Sequence, residues 1–280
     1  MDLSSFLIWL GRLPLRWRYL RTPPDLPLRE VIFPARDGTQ LSGWYVPHPQ
    51  ARAGVLLCHG IYSTRMAMVA RARMLQRWGY ASLLFDFRGR GRSRGNCTLG
   101  FRESLDVLGG LDFLRAQLPG LPLAGLGESL GASSLLQAMA LEGGLQCACL
   151  EACFATLEEA IAARAPRHQV APIARRLEST YGLPIRDISP LRHVGRIKQP
   201  LFFIHDSLDW CVSLDASRRL TRSAAGPSQL WVAPWTLHTR AALMAAREYE
   251  YRVGGFFSEH LRQTIPVSQF TDGLPPMGAF

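Results

Sequence analysis

The stretch that most constrains this chain runs from Leu121 to Gly131, Leu-Pro-Leu-Ala-Gly-Leu-Gly-Glu-Ser-Leu-Gly. An apolar run stops abruptly at Gly127-Glu128-Ser129-Leu130-Gly131, and the helix-forming residues Ala132 to Leu141 follow at once. The order strand, tight turn, helix around G-x-S-x-G is the pattern of a nucleophile elbow. Its composition follows from its geometry. The turn holds Ser129 in a strained conformation, and flanking glycines let neighbouring backbone approach without a Cβ in the way. Ser129 then projects its hydroxyl clear of the sheet. Two glycines and a serine at fixed spacing also arise by chance, so the pentapeptide carries weight only if its flanks agree.

The flanks alternate strand and helix. Val31-Ile32-Phe33 and Gln40 to Val46 have a period of two around Asp37-Gly38, a strong hairpin signal, and predict two antiparallel strands. Gly54 to Cys58, Tyr80 to Phe87, Leu121 to Gly127, Cys147 to Cys153, Pro200 to His205 and Gln229 to Ala233 are short, nearly continuous apolar runs. Strands buried on both faces have that composition. Arg65 to Trp78, Phe101 to Leu118 and the stretch after Ser129 carry helical signals between them. The expected fold class is therefore α/β, with a mostly parallel central sheet flanked by helices through right-handed crossovers. Residues 155 to 199 break the rhythm. They hold Pro166, Pro172, Pro184 and Pro190 among several arginines and predict a small helical insertion after the sixth strand, above the elbow. A lid is the functional reading, and surface helices the plainer one.

A chain of 280 residues with 48% hydrophobic content can bury one large core, so one domain is expected. The formal net charge is +10, and Lys198 is the only lysine among 32 basic residues. Arginine excess suits acidic partners, but it is dispersed, and no basic block with interleaved aromatics marks a nucleic-acid face. Cys58, Cys97, Cys147, Cys149, Cys153 and Cys211 lack C-x-x-C spacing and sit mostly in apolar runs, which implies reduced, buried thiols.

Residues 1 to 28 read as an amphipathic segment and linker. Phe6 to Leu10 is far too short to span a bilayer, and Asp2 stands where a secretory signal needs positive charge. Trp9, Trp17 and Tyr19 beside Arg12, Arg16, Arg18 and Arg21 suit either packing on the protein's own body or peripheral contact with a membrane. The expected location is cytoplasmic, not secreted. The domain proper is expected over 29–264, with a Gly- and Pro-rich tail over 265–280.

The order His59-Gly60, Asp86-Phe87-Arg88-Gly89, Gly127-Glu128-Ser129-Leu130-Gly131, Ser189-Pro190, His205-Asp206-Ser207-Leu208-Asp209 and His238 resembles the α/β-hydrolase superfamily. Within it the chain looks most like the small Bem46-like serine hydrolases, related to the prolyl-oligopeptidase branch. The resemblance spans about residues 29 to 262. It implies a serine hydrolase with a Ser-His-Asp triad and neither metal nor cofactor.

Chain order alone narrows the triad. The order in this topology is serine, acid, histidine. That excludes His48, His59, His168, His193 and His205 as the base and leaves His238 and His260. His238 follows the strand Gln229 to Ala233 closely, whereas His260 falls in a helical stretch and reads as a solvated helix residue. Asp206, Asp209 and Asp215 all follow the strand ending at His205. Asp209 is favoured by its place in the loop and by the family's His-Gly-x-x-Asp pattern; Asp206 stands where that pattern has glycine and is the alternative acid. Glu128 reads as a buried or capping carboxylate. Leu130 should supply one oxyanion-hole amide. The resemblance puts the second at Ile61, with Tyr62 either the alternative donor or a pocket residue. His59 is expected to hold its loop by hydrogen bonds, and Asp86 and Arg88 to pair as scaffold.

These residues predict cleavage of a small-molecule carboxylic ester. A thioester or an amide would use the same chemistry. A membrane-associated binding protein that has kept the fold is the reading from another class.

Overall fold

The structure, a computed structural model, describes residues 22–23 and 25–261. The amphipathic segment expected over residues 1–21 and the expected C-terminal tail lie outside the described residues.

Eight strands form one sheet in the order β1-β2-β4-β3-β5-β6-β7-β8. β1 (Arg29–Pro34) and β2 (Gln40–Val46) are the expected hairpin, and Gly38 turns it with φ +82°. β2 also pairs antiparallel with β4 (Ala81–Asp86). The remaining pairings, through β3 (Gly54–Cys58), β5 (Leu123–Glu128), β6 (Cys147–Glu151), β7 (Leu201–Asp206) and β8 (Ser228–Ala233), are all parallel. Every residue of β3 to β7 is buried, which explains their nearly continuous apolar sequence. β8 closes the edge with Trp231 and Ala233 buried and their neighbours open.

Helices cover both faces, so two apolar cores lie on either side of the sheet. One face carries α1 (Val69–Arg77) and, at the end of the chain, α8 (Ala241–Met244) and α9 (Ala246–His260). The other carries α2 (Glu103–Gln117) and α3 (Leu130–Leu141). α1 is shorter than expected, because Arg65–Met68 forms a 3-10 turn ahead of it. Between β6 and β7 come α4 (Leu157–Ala162), α5 (Arg167–Tyr181) and α6 (Pro190–His193), the expected helical insertion. α7 (Leu214–Ser223) joins β7 to β8. Caps mark where two of these helices start: Thr156 accepts from the Glu159 amide and Ser213 from the Ala216 amide. All six cysteines are free and buried.

Arg88 and Asp86 do not pair with each other as expected. Arg88 donates to Asp106 at 2.6 Å and to Asp37 at 2.8 Å. Asp86 instead accepts the amides of Arg65 at 2.9 Å and Arg92 at 3.0 Å. The turn points the two side chains into different layers, so each finds a distant partner.

Neighbouring glycines in α9 make a test of this packing. A Cβ on Gly254 would lie 2.3 Å from the Trp78 ring, whereas one on Gly255 would meet nothing within 4 Å. Chemical denaturation should find Gly254→Ala destabilised by about 1–3 kcal/mol, the usual cost of overpacking. Gly255→Ala should be stabilised by about 0.5–1 kcal/mol, since a helical glycine carries an entropic cost without a compensating contact.

Candidate active site

Ser129 sits between β5 and α3 with φ 50° and ψ −113°, the strained turn expected of an elbow. The glycines around it are sterically required. A Cβ on Gly127 would fall 2.6 Å from the Ala132 nitrogen, and one on Gly131 2.2 Å from the Cys58 carbonyl oxygen. The Ser129 amide donates to the Glu151 carbonyl at 2.8 Å, which ties the elbow to β6. Leu130 opens α3, where the first amides of a helix have no partner within it.

The loop after β3 brings Ile61 and Tyr62 to the same place. His59 fixes that loop from below: fully buried, it bonds the Gly60 carbonyl through Nδ1 at 2.7 Å and accepts the Phe87 amide on Nε2 at 3.1 Å. An acceptor role for Nε2 leaves the proton on Nδ1. Burial lowers the pKa of His59 to about 4, so the ring stays neutral and keeps both bonds.

His238 lies in the loop after β8, and its Nδ1 is 2.7 Å from Asp209 Oδ2. The loops carrying them are tied together. The Leu208 amide donates to the Thr236 carbonyl at 2.9 Å, and the Trp235 amide to the Ser207 hydroxyl at 2.8 Å. Asp209 Oδ1 accepts the amides of Cys211 at 2.7 Å and Val212 at 3.0 Å. Burial alone would raise the pKa of Asp209. The bonds from His238 and from those two amides outweigh it, and the carboxyl is held below its usual range.

Asp206, the alternative acid, is buried and holds the Thr239 amide at 2.9 Å, one residue beyond the imidazole it would have to touch. Burial pushes its pKa to about 7. His260 is not the solvated residue expected from sequence. Its ring packs edge-on against Phe256, centroids 4.6 Å apart, and it does not line the cavity that holds Ser129.

Beneath the elbow, Arg71 of α1 meets Glu128 and, at 2.8 Å, Glu151 of β6. Its Nε also donates to the Tyr249 hydroxyl at 3.2 Å, and Glu151 Oε1 accepts the Ala241 amide at 3.2 Å. Two carboxylates share one guanidinium. Burial pushes Glu128 up to about 8 against the pull of Arg71. Glu128 is thus the buried carboxylate expected, but Arg71 and Glu151 carry no sequence signal beyond a single charge on an otherwise apolar face.

Ser129 stands where two cavities meet. One, about 690 Å³ with its open mouth, is walled by Leu99, Phe154 and the insertion residues Leu157, Ile161, Ile173 and Leu177. The other, about 1220 Å³ with its mouth, is more polar and includes His238, Arg71, Arg240 and Trp210. Ile61, Tyr62, Ser129 and Arg164 line both. Ligand atoms of Asp209, Cys211 and His238 lie within 4.8 Å of one another. Both Asp209 oxygens already have hydrogen-bond partners, one His238 and the other the amides of Cys211 and Val212.

Residues 49–188 match the family Hydrolase_4, serine aminopeptidase S33. The uncharacterized protein Rv2307c of Mycobacterium tuberculosis is 28% identical over 237 residues, 82% of this chain and 79% of its own. YqkD of Bacillus subtilis, also uncharacterized, is 28% identical over 220 residues, 72% of this chain and 70% of its own. Among solved structures, the Pyrococcus furiosus esterase Pf2001 is 25% identical with a TM-score of 0.74, covering 89% of this chain and 100% of that one.

The tautomer of His59 has a consequence for acid stability. Its folded pKa of about 4 lies below the 6.5 of an unfolded histidine, so between these values the unfolded chain binds the extra proton. Its contribution is complete above pH 6.5 and lost as pH falls towards 4. The full effect is about 3 kcal/mol. Denaturation at pH 7 and pH 4 should show a smaller difference for His59→Gln than for the wild type; equal differences would mean that another group sets the acid limit.

Proposed function

This chain belongs to the Hydrolase_4 family, serine aminopeptidase S33, of the α/β hydrolases, and we propose that it cleaves carboxylic esters through an acyl-enzyme on Ser129. The observation that carries this reading is the 2.7 Å bond between the buried Asp209 carboxylate and His238, which lines the same cavity as the strained Ser129. A nucleophile, a base and an orienting acid are what acyl transfer requires.

In the proposed reaction His238 Nε2 removes the Ser129 proton as Oγ attacks the carbonyl carbon. Asp209 accepts the Nδ1 proton of His238 in a hydrogen bond throughout and stabilises the imidazolium that forms. Its depressed pKa keeps it ionised for that task. The amides of Ile61 and Leu130 receive the oxyanion, each worth about 10²- to 10³-fold in rate. Collapse expels the alcohol, which takes its proton from His238, and water repeats the sequence on the acyl-enzyme. No hydrogen bond joins Ser129 to His238 among the described residues; such contacts commonly tighten only when substrate arrives.

The cavity beneath the insertion suits an acyl chain, since Leu157, Ile161, Ile173 and Leu177 offer it an apolar wall. In this reading α4 and α5 are the lid. That Pf2001 is called an esterase supports an ester over an amide. Thioesters are the nearest alternative, because the same groups would serve.

The test is hydrolysis of p-nitrophenyl esters from about two to sixteen carbons, with fluorophosphonate labelling alongside. Ser129→Ala should abolish both. Asp209→Asn should lower kcat by about 10²- to 10⁴-fold, as loss of an orienting carboxylate does, and Asp206→Asn by much less. Labelling without turnover would point to another acyl bond; failure of labelling would favour a non-catalytic protein. Ile173→Trp, which fills the apolar cavity, should move the optimum to shorter chains.

A further inference from the structure

Three buried arginines of this molecule meet carboxylates. Arg65 lies 3.6 Å from Asp86, Arg71 2.8 Å from Glu151 and Arg88 2.6 Å from Asp106. Arg164 differs. It is half-buried just beyond α4, and Nη1 donates to the carbonyls of Ala160 at 2.7 Å and Cys211 at 3.4 Å. Those bonds fix the guanidinium without neutralising it. Among the described residues no carboxylate lies within ion-pair distance of Arg164, nor of Arg240, two residues beyond His238. The nearby acids are already taken: Asp209 by His238, and Glu128 and Glu151 by Arg71.

The positions of these two cations matter as much as their charge. Arg164 lines both cavities, together with Ser129, Ile61 and Tyr62. Arg240 lines only the polar one, on the side of His238. Resting on the ester reading above, an acyl chain in the apolar cavity leaves the alcohol half of the substrate in the polar cavity. A fixed guanidinium at the junction then faces the alcohol within a few bonds of the scissile oxygen. A partly desolvated guanidinium gains most from an anionic oxygen acid, which it grips with two parallel hydrogen bonds.

We propose that Arg164, assisted by Arg240, forms a subsite for an anionic oxyacid group, carboxylate or phosphate, on the leaving alcohol of the substrate. The enzyme is then selective for acyl esters of acidic alcohols over neutral ones, and Arg164 is a specificity-determining residue.

Matched esters test this on the full chain. Octanoyl glycerol 3-phosphate is compared with octanoylglycerol, and octanoyloxyacetate with its amide. Within each pair the acyl group and scissile bond are the same. The wild type should prefer one or both anionic esters in kcat/KM by about tenfold or more, and the pair with the larger ratio identifies phosphate or carboxylate. Arg164→Gln should cut that ratio by about 10- to 100-fold, the range of a charge-assisted hydrogen bond, Arg164→Lys should restore part of it, and Arg240→Gln should cut it less. Using the ratio removes any general loss of activity from the loosened Cys211 loop. A wild type that favours the neutral esters, or a ratio unmoved in Arg164→Gln, overturns the proposal.

A binding measurement separates this from failure of the ester reading. Glycerol 3-phosphate and glycolate are titrated calorimetrically into the wild type and Arg164→Gln. Binding of either, weakened in the variant, supports the subsite even if none of the four esters is cleaved and Ser129 resists fluorophosphonate. Absence of binding by both overturns the subsite whatever the esterase result.

Discussion

The structure depends on one buried ionic junction, Arg71 with Glu128 and Glu151. Isolated charges this deep would be prohibitively costly, and only mutual pairing and satisfied hydrogen bonds make them tolerable. The partners come from four separate elements. Arg71 rises from α1, Glu128 ends β5, Glu151 ends β6, and Tyr249 of α9 bonds the guanidinium. Glu151 does more, since its backbone carbonyl holds the Ser129 amide and its side chain holds the Ala241 amide, three residues past His238. Ser129 and the segment that follows His238 are therefore tied to opposite ends of the same residue. Breaking the junction by removing one partner leaves a charge stranded, which usually costs several kcal/mol, about 3–5 in measured cases.

Above the junction, local and long-range forces divide the work. The elbow is local: its strain is imposed by a tight turn and permitted by Gly127 and Gly131 at the contacts where a Cβ cannot fit. The Asp209–His238 contact is long-range, built by two strand-end loops that share hydrogen bonds and so hold the two residues in register. His59 adds a third tie, joining the loop after β3 to the one after β4 through a single neutral ring.

This division explains what could be read from the sequence. Eight apolar or alternating runs correspond to eight strands, because burial on one face or on both leaves a compositional trace that needs no knowledge of partners. The elbow was legible for the same reason, its glycines being required by neighbours only a few residues away or directly beneath. Asp206 and Asp209 are less distinct in sequence. Asp206 ends β7 and Asp209 lies in the loop just beyond it, and only the loop pairing turns Asp209 towards His238 and leaves Asp206 on the Thr239 amide. The Arg71 cluster was silent, since its members are 57 and 80 residues apart along the chain (128 − 71 and 151 − 71) and each looks like an ordinary charge. Arg88 misled for a related reason: sequence adjacency suggested Asp86, while the three-dimensional partners were Asp106 and Asp37.

The two cavities have different architectural ownership. The proposed chemistry belongs to residues at the strand ends of the sheet, whereas most of the apolar wall, together with Arg164, comes from one continuous stretch between β6 and β7. That stretch contributes no strand to the sheet. In the proposed reaction, selectivity is therefore carried by a segment that takes no part in the sheet, apart from the strand-end residues that carry the chemistry.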